Sequence, residues 1–302
     1  MENKEQEDKR FLNEIITKLT NDLGIKKNPK KNNNDLLRVS TKSFWNELPE
    51  HIEDVEKFAK KIIDVVNPLN SKCLFRDDYS DTTDKNERTE VTFTERDNDI
   101  YLPHRMEEAL ERVIKIASDN SKLNQIVMPD GGHIDLIDDI DKKGNATFVE
   151  LKMWANENDT PLYALLESLK NYYLFNDVRF SKTRELFNNK GIEKITKLVI
   201  LAPQQYYDNF KTEKNKSYDI LKELIKAIEK ELKHEIKIEF KIINILQNDW
   251  EKHMKSIYYK ADKTSLREWG NNKKCCLVDF LDHKQYIIDN MKEQLINWND
   301  FT

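Results

Sequence analysis

The sequence predicts an α/β protein whose sheet-forming middle lies between helical ends. Two patterns carry this expectation. Apolar residues recur at helical spacing in residues 1–70 and 216–233, while residues 133–140, 146–154, 197–201 and 235–246 are alternating or wholly apolar runs of strand length. From about residue 90 to 246 the two kinds of segment interleave, which is the signature of a sheet with helices on its faces.

The first helical stretch places Phe11, Ile15, Ile16, Leu19 and Leu23 on one face, and a second places Val55, Phe58, Ala59, Ile62 and Val65. Between them, residues 26–35 hold Lys26, Lys27, Lys30 and Lys31 among asparagines and read as a solvated loop rather than a phosphate-contacting arm. Residues 76–88 are dense in turn formers and charge and mark a domain boundary. Residues 90–94 suit a strand. Residues 102–118 suit a helix with Met106, Leu110, Val113, Ile114 and Ala117 in one stripe. A helix over 162–175 has Thr160 as N-cap and Pro161 at its first position. The tail predicts further helices, the last near 285–298. The division that follows is a helical region 1–85, an α/β core 86–246 and a helical region 247–302.

Composition excludes several classes. Among 302 residues there are six glycines and seven prolines, too few for collagen-like or Pro-rich disorder, and 38% are apolar, enough to bury a core. Mean hydropathy is −0.79 with 35% charged residues, so helices must keep one wet face. No apolar run reaches the ~18–20 residues of a membrane span. The first residues show no hydrophobic leader, and Cys73, Cys275 and Cys276 do not make a disulfide framework, so a cytoplasmic protein is expected. A net charge of −5 argues against coating nucleic acid by bulk positive charge, though not against a local basic groove.

The segment Gly131-Gly132-His133-Ile134-Asp135-Leu136-Ile137-Asp138, followed by Phe148-Val149-Glu150-Leu151-Lys152, carries the chemistry. As a β-hairpin that pairs Asp135 with Glu150, its turn centres between Lys142 and Lys143, with Gly144 free to take a positive φ. The same register sets Ile134 against Leu151, Leu136 against Val149 and Ile137 against Phe148, so apolar meets apolar on both faces. Two carboxylates held side by side raise each other's pKa unless a cation lies between them. Hard oxygen ligands without a Cys/His cluster favour Mg²⁺ or Mn²⁺ over zinc. Lys152, two residues beyond Glu150, shares its strand face.

Asp on one strand and Glu-x-Lys on the next resembles the PD-(D/E)XK nuclease superfamily, over roughly residues 100–205 and onward toward 246. The resemblance implies a restriction-endonuclease-like core, a mixed sheet flanked by helices, here with helical N- and C-terminal additions. It implies a Mg²⁺-dependent nuclease, Mn²⁺ substituting, that hydrolyses phosphodiester bonds in nucleic acid. DNA is the first expectation, in restriction, phage defence or repair. Asp135, Glu150, the Leu151 carbonyl and an acid on the preceding helix would hold the metal, and Lys152 would orient the attacking water. On that helix Glu107 lies about 75° from the apolar stripe and Glu111 about 115°, so Glu107 is the preferred ligand and Glu111 stays open. Ile134 stands where the name pattern has proline. The literal Pro129-Asp130 reads as a turn. A homodimer is left open, and no membrane partner is expected.

Other features read more plainly. The 162–175 helix is expected to pack on the sheet as an ordinary amphipathic helix, with Glu167, Lys170 and Tyr163 the residues that would face a site. His133 reads as surface, and Asp138, Asp139 and Asp141 as solvated turn acids. Lys182, Arg184, Lys190, Lys194 and Lys197 give a local basic stretch, and Cys275-Cys276 has no metal role. Two rival functions remain: a catalytically inactive nuclease-like domain that binds nucleic acid or a partner protein, and a phosphodiesterase directed at RNA or nucleotides.

Overall fold

The structure, a computed structural model, describes residues 10–27, 36–75, 95–96, 99–100, 110–111, 114–115, 117–118, 122–153, 159–211, 216–245 and 289–301. One mixed sheet organises it: β1 (Leu123–Val127), β2 (His133–Asp138), β3 (Asn145–Leu151), β4 (Lys194–Pro203), β5 (Lys237–Ile243) and β6 (Trp298–Asp300), in that spatial order. β1 to β3 form an antiparallel meander, β3, β4 and β5 run parallel, and β6 closes the far edge antiparallel to β5.

The expected hairpin is present in the expected register. Leu136 pairs with Val149, Ile137 with Phe148 and Asp138 with Thr147. Its turn is held by Asp141, whose Oδ1 accepts from the Lys143 and Asn145 amides, while Gly144 sits at φ +73°. A side chain at Gly144 would also meet Glu193 Cβ at 2.9 Å, so the turn needs glycine for space as well as φ.

A parallel neighbour for β3 requires a crossover. α5 (Pro161–Asn176) and α6 (Ser181–Asn189) supply it. Thr160 caps α5 by accepting from the Tyr163 amide at 3.2 Å, as expected. The crossover packs through aromatics: Phe148 of β3 meets Phe175 at 5.6 Å and Phe187 at 5.8 Å between ring centres. Strand β4 is buried at its last six positions, which explains its unbroken apolar run.

The N-terminal helices α1 (Arg10–Leu23), α2 (Lys42–Asn46), α3 (Leu48–His51) and α4 (Val55–Val66) share one hydrophobic core with the sheet. Trp45 is fully buried and its Nε1 donates to the Phe210 carbonyl at 2.8 Å. Ser217, in α8 (Lys216–Glu231), donates to the Trp45 carbonyl at 2.7 Å. Phe210 follows α7 (Gln204–Asn209), the short helix leaving β4.

Three elements depart from expectation. β1 has no alternation to announce it. β6 lies in the tail read as helical: residues 289–296 are helical, but Trp298–Asp300 joins the sheet and Phe301 stacks on Tyr207 at 4.2 Å. Asp138 is 8% exposed and paired with Lys122, so it is not a solvated turn acid. Strand alternation turns it from Asp135, but toward a buried ammonium rather than water. The strand expected at 90–94, Glu107 and the Cys275-Cys276 pair lie outside the described residues. No helix among the described residues is long and apolar enough to cross a membrane.

Candidate active site

The site lies where the β2–β3 ladder ends. Past Leu136 and Val149, the Leu151 amide donates to Asp135 Oδ2 at 2.7 Å. This bond turns Asp135 toward β3 and holds it beside Glu150. The Lys152 amide donates to the Leu201 carbonyl at 2.9 Å, which anchors the same stretch to β4.

Glu150 and Lys152 are buried, at 5% and 6% exposure. The Lys152 ammonium donates to Glu150 Oε1 at 2.7 Å and to Glu167 Oε2 at 3.0 Å, and lies 3.6 Å from Asp159 Oδ1. Glu167 comes from α5, one turn beyond Tyr163, whose ring centre is 5.7 Å from the same ammonium. Burial raises the Glu150 pKa well above the usual carboxylate range, and the charges of Asp135 and Glu167 push it further, against the pull of Lys152. Burial likewise keeps the Tyr163 phenol neutral, with the Glu167 charge adding to the effect. The Tyr206 hydroxyl, from α7, donates to the Asp159 carbonyl at 2.8 Å.

Three carboxylates, those of Glu150, Glu167 and Asp159, therefore meet one ammonium at the end of the parallel strands, with the charge of Asp135 close enough to act on Glu150. In kind, the donors suit a hard divalent ion: all are oxygens, and their mutual repulsion is what a cation would relieve. In arrangement, the Lys152 ammonium stands where Glu150, Glu167 and Asp159 converge. Among the described residues no group of three or more His, Cys, Asp or Glu side chains is set to hold a metal ion. Binding one here would require the ammonium to leave that place.

Of the sequence-predicted residues, Asp135, Glu150, Leu151 and Lys152 come together. Glu107 lies outside the described residues, and Glu111 is buried at 2% exposure on the helical stretch that also buries Leu110, Ile114 and Ala117. Glu167 and Tyr163, two of the three residues of the 162–175 helix that would face a site, both reach Lys152, although the helix as a whole is expected only to pack on the sheet. Lys170 does not face this site. It forms a buried pair with Asp130 at 2.6 Å, so Asp130 is more than a turn residue. Asp159 was missed; only its place just before the Thr160 cap signalled it. His133 is exposed, and its carbonyl accepts from Asn171 at 3.2 Å. In the basic stretch, Lys197 lies 3.9 Å from Glu239.

No family model, curated protein or solved structure matches the chain.

Proposed function

We propose that the chain is a divalent-metal-dependent phosphodiesterase acting on nucleic acid, DNA first, built on a restriction-endonuclease-like core. The observation that carries this reading is the placement of Asp135 beside Glu150 on registered strands, with Lys152 hydrogen-bonded to Glu150 on the same face. The order of elements supports it too: an antiparallel meander, a helical crossover, then a strand parallel to the one bearing Glu-x-Lys.

Asp135, Glu150 and the Leu151 carbonyl would hold the ion. When bound, Mg²⁺ supplies Lewis acidity at the phosphate and lowers the pKa of a water. The chain's own residues do the rest. The Leu151 amide fixes Asp135. Lys152, on the same face as Glu150, would offer its ammonium to the attacking water and to the charge that develops on the phosphate oxygens. Glu167 and Asp159 retain that ammonium near the reacting centre. Tyr163 walls the site with an aromatic face.

The test is a cleavage panel of plasmid, linear duplex, single-stranded DNA and RNA, with and without Mg²⁺ or Mn²⁺, comparing wild type with Lys152→Ala. Metal-dependent cutting that disappears in the variant is the expected result, and the substrate that the wild type consumes names the class. Equal behaviour of the two proteins on every substrate would overturn the reading and favour a binding domain.

A further inference from the structure

We infer that a cleft in the N-terminal helical region, bounded by Lys27, Arg38 and Lys42, binds phosphate, and that the phosphates it takes belong to the backbone of the nucleic-acid strand held at Lys152. The second part rests on the phosphodiesterase reading above; the first does not.

The cleft is shaped by fixed backbone. Gly24, at φ +62°, turns the chain out of α1, and Lys26 then bridges to Leu36, with the Leu37 amide donating to the Ile25 carbonyl at 2.8 Å. The Val39 amide donates to Thr20 Oγ1 at 3.3 Å, tying the returning chain to α1. Thr41 then caps α2. Lys27 and Arg38 thus sit on the two arms of the bridge, and Lys42 opens the helix that follows. Together they line a cavity of about 440 Å³, within the ~300–1,000 Å³ typical of ligand sites.

The lining decides the ligand. Three cations line the cavity and no acid does, in a chain whose net charge is −5. Among the described residues none of the three meets a carboxylate, although cations elsewhere in the fold are commonly paired. Ser43 and Asn46 add neutral hydrogen-bonding groups, whereas the Thr41 hydroxyl is already used, donating to the Arg38 carbonyl and accepting from the Phe44 amide. Such a set suits a multiply charged oxyanion: arginine meets phosphate through its planar fork and lysine as a point charge.

Its position links it to the candidate active site. The Lys42 ammonium lies 5.6 Å from the Phe210 ring centre, Phe210 lies 5.2 Å from Tyr206, and Tyr206 donates to the Asp159 carbonyl beside Lys152. Two fully buried rings, Phe210 and Tyr206, thus connect Lys42 of the cleft to the backbone of Asp159 in the carboxylate site. A strand crossing the surface over these rings would present its scissile phosphate to Lys152 and a neighbouring stretch of backbone to the cleft.

The test measures anisotropy of a fluorescein-labelled single-stranded or duplex 20-mer in EDTA, across a salt series, for wild type, Lys27→Gln/Arg38→Gln/Lys42→Gln and Lys152→Ala. A thermal melt checks folding, and Arg38→Lys serves as a milder second variant. The triple variant should lose about tenfold or more in affinity. Its log–log salt slope should fall by about 2, since each phosphate contact contributes ~0.7–0.9. Lys152→Ala, which removes at most one phosphate contact, should lower the slope by no more than about 1. An unchanged slope and affinity in a folded triple variant would overturn the proposal. If the substitutions abolish binding of inorganic phosphate or a mononucleotide while the oligonucleotide binds as before, the cleft takes a free phosphate and the nucleic-acid assignment falls. Tight, cleft-dependent binding without any metal-dependent cutting would sink the phosphodiesterase reading alone. Cutting with an unchanged KM in the triple variant would sink the cleft's role alone.

Discussion

Replacing Asp130 with alanine removes one partner of an ion pair that joins the β1–β2 turn to α5, the helix that carries Glu167. The Lys170 ammonium lies 2.6 Å from Asp130 Oδ2, and the two side chains are 3% and 2% exposed. An ammonium left without its partner at that depth costs about 3–5 kcal/mol. At a urea m-value of about 3 kcal/mol/M, the unfolding midpoint falls by about 1–1.7 M. Lys170→Met should cost a similar amount by stranding Asp130. The double variant removes both charges and should recover most of the loss, because exchanging a buried pair for apolar groups is often near neutral. Gly132→Ala attacks the pair without touching either charge. A Cβ at Gly132 would stand 2.7 Å from Lys170 Nζ and 3.1 Å from Asp130 Oδ1, so the ammonium must shift, at about 1–3 kcal/mol. Urea unfolding followed by circular dichroism and tryptophan fluorescence reads all four. Single variants costing less than about 1 kcal/mol, or a double variant whose loss equals the sum of the singles, would refute the argument that the pair is buried and coupled.

Four further outcomes are expected. Glu167→Gln removes the charged partner from Lys152 while leaving Glu150; a charge-assisted bond contributes about 1.5–3 kcal/mol, so single-turnover cleavage should slow by about 10–100-fold with KM little changed. Phe187→Ala empties the fully buried space between Phe148 and Phe175 and should cost about 3–5 kcal/mol in urea unfolding. Burial raises the pKa of Glu14, but hydrogen bonds from Cys73, Lys18, Ser71 and the Lys72 amide outweigh it and bring the value down to about 2. The resulting stability is present above pH 4.5 and lost as pH falls toward 2, so a Glu14→Gln deficit seen at neutral pH should vanish in acid melts. Burial, then the bond to Glu14, pushes the Cys73 thiol up to about 11, so alkylation at pH 8 should be slow and should quicken in that variant.

The hairpin was legible because its information is local. Apolar alternation on both strands, the Asp141–Gly144 turn and the one-residue penalty for slipping register agree on a single pairing, and Leu136 does meet Val149. The cap at Thr160 and the buried run of β4 were legible for the same reason. The edge strands were not. β6 spans three residues, and β1 has no alternating pattern; each is a strand because a neighbour offers it hydrogen bonds, not because its own residues demand extension.

The candidate site divides along the same line. Sequence by itself determined which residues share a strand face: Glu150 and Lys152 by the two-residue period, and Asp135 opposite them by register. Tertiary structure alone decided which charges meet. The crossover brings Glu167 to Lys152, the β1–β2 turn brings Asp130 to Lys170 across forty positions, and Lys122 reaches Asp138. Backbone periodicity is written within a few residues. The pairing of buried charges depends on how whole elements pack, where desolvation rewards only those ions that find a partner.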